Sequence, residues 1–466
     1  MPPTNRSHRP VTTLIQMIRA GHVFAAAEPT HLSRERKNGL NTTMLRKILR
    51  KVASRQGSTT KNTILIVAAN LGRLLAQALY FVAFARSVGP NQFAHFASAI
   101  ALAVIMAPFI GLGSGALIVK NCSRDSTRLP AYYGNALFFT STTILIATPL
   151  YLFLIGKSAG HQWATVGVAV LIAELVFTKI QEITTQAFQS QGKMQLVATA
   201  TLLSSTSRII AAALGYFLAG DNLNTWLVLY IASALVPCAI VQAIFLKSYE
   251  VTRAAHFSEV FEGLKFSIGI SSQGIYNDAD KLILPRYSTD AIAGNYAAAY
   301  KIVDVAFSPI RALLTVTYAG FFKAGSGGIG PSLSYAHSYL PSTLALGMAG
   351  TAGVFLCSSL APMILGAGYE ETATVLKYLA IIPLLRAFHF LIADALTGAD
   401  YQGIRSCIQV TIAALNVGFN VLLIPTLGWR GAAFTSVACD LILCILLYGT
   451  AIYLKKREGN VNGHHA

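Results

Sequence analysis

The chain has 466 residues, a formal net charge of +17, 54% apolar residues and 12% charged residues. Soluble domains carry about 25% charged residues, so this composition argues against a soluble protein. A basic excess can indicate nucleic-acid binding, but here the cations alternate between the connectors of long apolar runs, which argues against that function as well.

Residues 1–61 form a basic arm before the first apolar run. Within it, residues 40–52 place apolar side chains at helical spacing and basic side chains on the other face. This pattern is typical of a short helix that lies on anionic lipid headgroups. A basic cluster without fixed structure that only orients the chain in the membrane is an alternative, and the sequence leaves both open. No cleavable signal peptide is recognised in the arm.

Twelve apolar runs follow, and each is near the length of about 20 residues that a helix needs to cross the hydrocarbon core. Backbone polar groups must be paired inside lipid, so the runs are predicted to be helices. The predicted fold class is therefore an all-α polytopic membrane protein with about 12 transmembrane helices. Its predicted spans are 62–84, 93–119, 131–155, 163–188, 195–219, 225–246, 262–285, 291–322, 338–365, 372–397, 404–425 and 431–454.

The connectors between the spans alternate in charge. One set carries most of the lysines and arginines, and the other set carries few. This alternation fits the positive-inside rule for an even number of spans. Both termini, including the tail 455–466, are therefore predicted to be cytoplasmic.

An offset of about 200 residues brings the two halves of the chain into weak register. Arg86 then aligns with Arg286, and one residue further along Pro108 meets Pro309. Six spans in each half would make a parallel repeat, which is a known transporter architecture. The predicted domains are an N-terminal six-helix bundle (62–247), a cytoplasmic linker (248–261) and a C-terminal six-helix bundle (262–454).

Several charged residues are predicted to lie at membrane depth. A charge at the centre of a span costs about 2.5–3.5 kcal/mol on insertion scales, so such residues usually face the bundle interior or water. Depth along the helices predicts four pairs, which are either structural ion pairs or gates and ion-linked switches that break during transport. The pairs are Asp280 with Lys301, Lys281 with Asp304, Lys179 with Glu182, and Glu174 with Arg208. The candidate gating or ion-coupling residues are Glu174, Arg208, Asp278, Asp280, Lys281, Lys301 and Asp304.

Three further arginines, Arg73, Arg311 and Arg386, have no acidic partner at their predicted depth. A guanidinium group is always charged and offers a planar fork of donors that suits phosphate. Around a central cavity, these three side chains would bind an anion, most naturally a phosphate or diphosphate. The alternative for each is an ion pair with a carboxylate whose depth is misjudged.

Two segments of the sequence resemble a known family. They are GPNQFAHFASAIALAVIMAPFIGLGSGALIVKNCSRD (89–125) and NDADKLILPRYSTDAIAGNYAAAYKIVDVAFSPI (277–310). Both are similar to segments of the polysaccharide transporter family and its O-antigen (Wzx-type) flippases, within the multidrug/oligosaccharidyl-lipid/polysaccharide (MOP) exporter superfamily. The resemblance implies two six-helix bundles in a MATE-like V around a cationic cavity, which opens alternately to the two sides. It also implies that Asp280 matches a polar site of the family in span seven.

The function implied by the resemblance is translocation of a polyprenyl-diphosphate-linked oligosaccharide repeat unit across the cell inner membrane. The product would be a surface polysaccharide such as O-antigen, capsule or exopolysaccharide. The expected partners are this lipid-linked substrate, membrane lipid, and the polysaccharide polymerase and chain-length machinery, with H⁺ or Na⁺ open as a coupling ion. No nucleic acid is expected.

Two other transport functions and one enzymatic function compete with this prediction. A cation-coupled multidrug exporter would favour acidic residues at the centre of the protein. The excess of basic residues predicted there argues against this function. A peptidoglycan-precursor flippase is not separated from the leading function by the sequence. A membrane glycosyltransferase or polymerase is disfavoured because the connectors are too short for a catalytic domain, so no enzyme, cofactor or metal site is predicted. The six cysteines lack metal-binding or redox spacing and are expected to pack as small apolar residues.

Overall fold

The apolar runs form helices because a helix satisfies its own backbone hydrogen bonds inside lipid. The computed structural model describes residues 57–123, 125–156, 160–252 and 260–463, and every regular element within these ranges is helical. The α-helices are α1 (Gly57–Met106), α2 (Ser114–Cys122), α3 (Leu129–Gly156), α4 (Gly160–Val170), α5 (Lys179–Ser190), α6 (Met194–Leu214), α7 (Leu223–Ser248), α8 (Val260–Ile283), α9 (Asp290–Ala306), α10 (Ser308–Gly325), α11 (Ile329–Leu356), α12 (Ala361–Leu365), α13 (Glu370–Leu379), α14 (Ile382–Gly398), α15 (Gln402–Leu427) and α16 (Trp429–Gly463).

The helices agree with the predicted spans. Within the described ranges, eight helical stretches are long and apolar enough to cross a membrane, and the bent pair α13–α14 makes nine. One of the eight, Gly72–Phe109, contains a break and covers predicted spans one and two. Predicted spans seven and eight coincide with α8 and with α9–α10, which carry several charged residues. Each of the twelve predicted spans therefore falls on helical segments.

The break in α1 lies at Gly89 and Pro90. Gly89 has φ 74° and ψ 171°, a backbone conformation that favours glycine because it has no Cβ. Pro90 lacks an N–H group, and the first position of a new helical segment does not need one. The two residues together end one span and begin the next.

A π-helical segment, Leu171–Thr178, joins α4 to α5. Apolar periodicity does not predict this irregularity, because the run stays apolar through it. Segments of this kind occur frequently at functional sites. This one carries Glu174.

Helix α8 packs along the second segment of α1. The Ser267 hydroxyl donates to the carbonyl oxygen of Pro108 (2.6 Å), and the Ser271 hydroxyl donates to that of Ile105 (2.8 Å). At Gly263 a Cβ would lie 2.1 Å from the carbonyl oxygen of Leu112, so only glycine permits this approach. Small residues and hydroxyl groups hold helices together in membranes in this way.

Large apolar side chains remain on the outside of the helices. Leu145 and Ile146 on α3 are 75% and 74% exposed, and Phe217 is 80% exposed. Contiguous apolar surface of this kind is rare on soluble monomers. Contact with lipid accounts for it in a protein whose helices span a membrane.

Some predictions fall outside the described residues. They include the helix at 40–52, the basic arm as far as residue 56, and positions 253–259 of the linker 248–261. The described residues from 62 onward form one compact unit. The last helix, α16, extends to Gly463 and so reaches into the segment 455–466, which is predicted to be a cytoplasmic tail.

Candidate functional site

A cavity of about 280 Å³ lies between helices of the first and the second half of the chain. Its apolar wall comes mainly from α1 and includes Phe81, Phe84 and Phe93. The cavity also brings together six of the charged residues that the sequence singled out. They are Glu174, Arg208, Asp278, Lys281, Lys301 and Asp304.

The first half contributes an ion pair to this cavity. Arg208 Nη2 on α6 lies 2.8 Å from Glu174 Oε1, which confirms the predicted pair. The Tyr230 hydroxyl on α7 donates to the same carboxylate oxygen, and the Arg208 guanidinium lies 4.0 Å from the centre of the Tyr230 ring. Arg208 Nη1 has no hydrogen-bond partner among the described residues. The pair between Lys179 and Glu182, at 3.2 Å, is confirmed as well.

The second half pairs differently from the prediction. Lys281 Nζ lies 2.7 Å from Asp278 Oδ1, and Asp280 Oδ2 accepts from the Tyr296 hydroxyl (2.6 Å) and from Ser436 (3.1 Å). The predicted pairs of Asp280 with Lys301 and of Lys281 with Asp304 are therefore wrong. Residues three apart share a helix face, so Lys281 meets Asp278 on its own helix. Asp280 lies on another face of α8 and is buried there.

Arg386 has acidic partners, contrary to the prediction. Its Nη1 lies 2.9 Å from Asp304 Oδ1, and its Nε lies 3.5 Å from Asp440 Oδ2. Its Nη2 donates to Asn277 Oδ1 (2.7 Å) and to the Tyr300 hydroxyl (2.9 Å). Because Arg386 is only 3% exposed and its Nη1 and Nη2 atoms are hydrogen-bonded inside the protein, it stabilises the interior and is not placed to bind a substrate.

Two residues of this interior escaped the sequence-based prediction. Asp440 lies on α16, and His389 lies one turn after Arg386 on α14. A single carboxylate in an otherwise apolar span is the signal that could have revealed Asp440, by the same argument that singled out the other charges.

Arg73 and Arg311 remain without an ion-pair partner within the described ranges, and both are exposed. Arg73 is one turn before Gln77, which lines the cavity, and Arg311 lies in the first turn of α10, just beyond the end of α9, which carries Asp304. Each lies close enough to the other to repel its charge, and Arg311 also interacts with Asp304. Two cations thus lie next to the cavity on the side away from Gly89.

Lys301 completes this group of cations. It is exposed, lines the cavity, and forms no ion pair with another residue of the described chain. It interacts electrostatically with Asp304, which Arg386 already engages. The other cations of the cavity wall, Arg208 and Lys281, are neutralised by carboxylates. The three cations and three carboxylates of the wall balance, so the surplus of positive charge comes from Arg73 and Arg311 beside it.

An apolar cavity of about 340 Å³ adjoins the charged one, and Phe81 lines both. Its other walls include Ile302 and Val305 on α9, and Gly353 and Cys357 at the end of α11. The two cavities together offer a charged compartment beside an apolar one.

The end of the cavity near Gly89 is closed by contacts between the two halves. Arg86 Nη1 donates to the carbonyl oxygens of Met363 (3.2 Å) and Ile364 (3.1 Å). The Tyr369 hydroxyl donates to the carbonyl oxygen of Ala85 (3.0 Å). At Gly294 a Cβ would lie 1.9 Å from the carbonyl oxygen of Pro90.

Substitution of Gly294 with valine is expected to open this end, because the added side chain forces α9 away from Pro90. In a background without native cysteines, labelling of an Ala297→Cys variant by an impermeant maleimide should rise by about tenfold, the ratio that corresponds to 1.4 kcal/mol. Gly449→Val is the matched control, because a Cβ there meets nothing within 4 Å. Equal labelling in the two variants would show that the contact does not hold the end closed.

Comparison with known proteins identifies the family of this chain. The family model described as "Polysaccharide biosynthesis protein" matches residues 59–323, which is more than half of the chain. The chain belongs to this family. No curated protein matches it.

Solved structures show the fold. An inward-facing multidrug resistance MATE family transporter of the MOP superfamily matches with a TM-score of 0.68 and 14% identity, over 82% of this chain and 96% of that one. Lipid II flippase MurJ, in an inward closed conformation, gives 0.64 and 13%, over 83% and 87%. A MOP superfamily transporter from Pyrococcus furiosus, described by a binding pocket of reverse polarity, gives 0.60 and 16%, over 85% and 96%.

These matches confirm the predicted fold class and the predicted family. The protein is a multi-pass membrane protein with a MATE-like fold, and its regular structure is all-α throughout the described residues. The solved proteins of this fold are transporters and a flippase.

Proposed function

We propose that the protein translocates a polyprenyl-diphosphate-linked oligosaccharide across the cell inner membrane for surface polysaccharide synthesis. The observation that carries this proposal is a group of three cations without ion-pair partners in the described chain, one in the wall of a cavity that both halves line and two beside it. The group is Arg73, Lys301 and Arg311, so Lys301 takes the place that the sequence had given to Arg386.

A diphosphate headgroup suits these cations. Hydrogen bonds to charged groups contribute about 1.5–3 kcal/mol each, and arginine forks match phosphate oxygens geometrically. The apolar cavity that shares Phe81 gives an adjacent place for hydrocarbon. A charged head joined to an apolar tail fits this pair of compartments better than a wholly soluble anion does.

The closed end of the cavity indicates the direction of the proposed transport. With both termini in the cytoplasm, as the alternation of connector charges predicts, the contacts of Arg86 and Tyr369 close the outer side. Arg73 and Arg311 then face the cytoplasmic side, where the lipid-linked substrate is loaded. Rocking of one half against the other would break the outer contacts and release the glycan outside.

The charge of the site discriminates against some of the other substrates. A cationic drug would be repelled by the surplus of positive charge, so a multidrug exporter is disfavoured. A peptidoglycan precursor has the same diphosphate chemistry, and the fold of lipid II flippase MurJ is similar. The charge of the cavity does not separate these two anionic lipids.

Purified protein in liposomes tests the proposal. We expect it to move a fluorescent, short-chain polyprenyl-diphosphate sugar between leaflets, measured as the fraction that an external quencher reaches. Protein-free liposomes and a cationic dye are the controls, and lipid II is the competing substrate. Transport of the dye without transport of either diphosphate lipid would contradict the proposal, and transport of lipid II alone would replace the oligosaccharide by a peptidoglycan precursor.

A further inference from the structure

The charged cavity has an aromatic wall on the side of the first half. The rings of this aromatic wall pack on one another, with the centres of Phe84 and Phe96 4.5 Å apart and those of Phe96 and Tyr230 4.9 Å apart. Because packed rings are already ordered, a ligand that binds to them loses little affinity to further ordering. The aromatic wall consists of Tyr80, Phe81, Phe84, Phe93, Phe96 and Tyr230.

A neutral ion pair adjoins the aromatic wall. The Arg208 guanidinium lies 4.0 Å from the centre of the Tyr230 ring and 5.7 Å from that of the Tyr80 ring. Glu174 compensates its charge, and the two side chains of the pair are still 25% and 18% exposed. The pair therefore offers hydrogen-bond donors and acceptors to the cavity without a net charge.

Two polar atoms of the same side chains lack hydrogen-bond partners among the described residues. They are Arg208 Nη1 and the Tyr80 hydroxyl, and both residues line the cavity. Buried polar atoms without partners are costly, so they are rare in folded proteins. Each of these two atoms can donate a hydrogen bond, so an oxygen atom of a ligand would satisfy either of them.

The charges of this region favour a neutral ligand. Arg208 is compensated by Glu174, and Lys281 is compensated by Asp278 at 2.7 Å. An acidic group placed here would be repelled by the two carboxylates, and neither cation is free to compensate it. A hydroxyl group both donates and accepts, so a neutral polyhydroxyl compound can bond to the guanidinium and to the carboxylate.

We propose that the aromatic wall, Glu174 and Arg208 bind a neutral sugar ring and discriminate against acidic sugars. The C–H groups of one face of the ring pack on the aromatic side chains, and its hydroxyl groups bond to the ion pair. Sites for small molecules commonly combine an aromatic lining with a few polar groups in this way. The inference deepens the proposed function and rests on it for the place of the ring within the substrate, next to the diphosphate.

The positions of the other groups agree with this assignment. Arg73 and Arg311, the cations proposed to hold the diphosphate, lie beside the cavity on the side away from Gly89. Phe81 belongs to the aromatic wall and also lines the apolar cavity proposed for hydrocarbon. A sugar, a diphosphate and a prenyl chain thus each have an adjacent region of matching chemistry.

Saturation-transfer NMR with methyl glycosides tests the sugar site directly. Full-length protein in nanodiscs is titrated with methyl glycosides of the common neutral hexoses and N-acetylhexosamines, and with methyl glucuronide. We expect saturable transfer to at least one neutral glycoside, and an affinity for the glucuronide that is lower by about tenfold or more. No saturable transfer to any neutral glycoside, or a glucuronide that binds as tightly as the best of them, would overturn the proposal. Protein-free nanodiscs are the blank.

Tyr80→Phe separates a binding role from a structural one. It should lower the affinity for the preferred glycoside by about fivefold, the effect of one neutral hydrogen bond. Its stability in denaturing detergent should be unchanged or higher, because the lost hydroxyl has no partner in the described chain. Tyr216→Phe is the matched control, since Tyr216 is 53% exposed and lies outside the cavity wall.

Glu174→Gln should weaken the discrimination against acidic sugars. The ratio of the affinities for the neutral glycoside and the glucuronide should fall by about tenfold, because one repelling carboxylate is removed. Glu182→Gln on α5 is the control, because Glu182 also pairs with a cation, Lys179 at 3.2 Å, but does not line the cavity. Unchanged selectivity in Glu174→Gln, together with unchanged affinity in Tyr80→Phe, would overturn the assignment to this wall. Should Glu174→Gln fail to fold, Tyr80→Phe alone decides it.

These titrations contain no diphosphate, so they are independent of the test of the proposed function. Binding of a prenyl diphosphate without binding of any neutral glycoside would overturn the sugar site and keep the proposed function. Binding of a neutral glycoside without binding of the diphosphate would keep the sugar site and count against the proposed function.

Discussion

Replacement of Arg73 and Arg311 together with glutamine is expected to lower the affinity for a diphosphate headgroup by on the order of 100-fold or more. Each charge-assisted hydrogen bond contributes about 1.5–3 kcal/mol, and 1.4 kcal/mol corresponds to tenfold. Neither arginine forms an ion pair in the described chain, and Asp304, with which Arg311 interacts, keeps its ion pair with Arg386, so protein levels should be unchanged. The initial rate of lipid translocation in liposomes, at low substrate concentration, measures the effect.

A matched variant separates the loss of these cations from a general loss of positive charge. Lys323→Gln removes an exposed cation from α10, the helix that also carries Arg311, and should translocate like wild type. The variants Arg73→Lys and Arg311→Lys keep the charge but lose the planar fork, so intermediate rates are expected. Translocation by the double glutamine variant at the rate of wild type would remove both arginines from the site.

In contrast to the substitutions of Arg73 and Arg311, Arg386→Met is expected to lower the stability of the folded protein strongly. Removal of one partner of a buried ion pair costs about 3–5 kcal/mol, because the remaining charge has no compensation. Here Asp440 would stay buried at 2% exposure with only His389 beside it, and Asp304 would lose its closest cation. The free energy of unfolding, from titration of the purified protein with denaturing detergent, measures the loss.

Neutralising the partners of Arg386 should restore much of this stability. In a variant that combines Arg386→Met with Asp304→Asn and Asp440→Asn, no charge is left unpaired in the cluster. A single Arg386→Met variant as stable as wild type would mean that the buried carboxylates are neutral or otherwise paired, and that Arg386 is not their counter-charge.

The fold could be predicted from the sequence because membrane insertion depends on the apolarity of a continuous run of residues, which the sequence shows directly. A run of about 20 apolar residues is sufficient to indicate a span, whatever it packs against. Local irregularities were not accessible in this way. The π-helical segment around Glu174 lies inside a uniformly apolar run, and the closed end near Gly89 depends on contacts between distant residues such as Arg86 and Met363.

The candidate site was predicted in part, since depth along a helix does not give the direction of a side chain. Glu174 and Arg208 were paired correctly because both lie near the middle of consecutive spans. Depth pairs Lys281 with Asp304, whereas the structure pairs it with Asp278 on its own helix. Depth alone leaves Arg386 without a partner, because it pairs Asp304 with Lys281 and does not show that Asp440 on α16 faces Arg386.

Titration of a short-chain prenyl diphosphate into the purified full-length protein tests the central claim most directly, namely that cations at the cavity bind an anionic headgroup. We predict saturable binding to wild type that weakens with added salt, is lost when Arg73, Lys301 and Arg311 are replaced together by glutamine, and is not displaced by a cationic dye. Binding that is unchanged in the triple variant, or a cavity that takes the dye and not the diphosphate, would contradict the account.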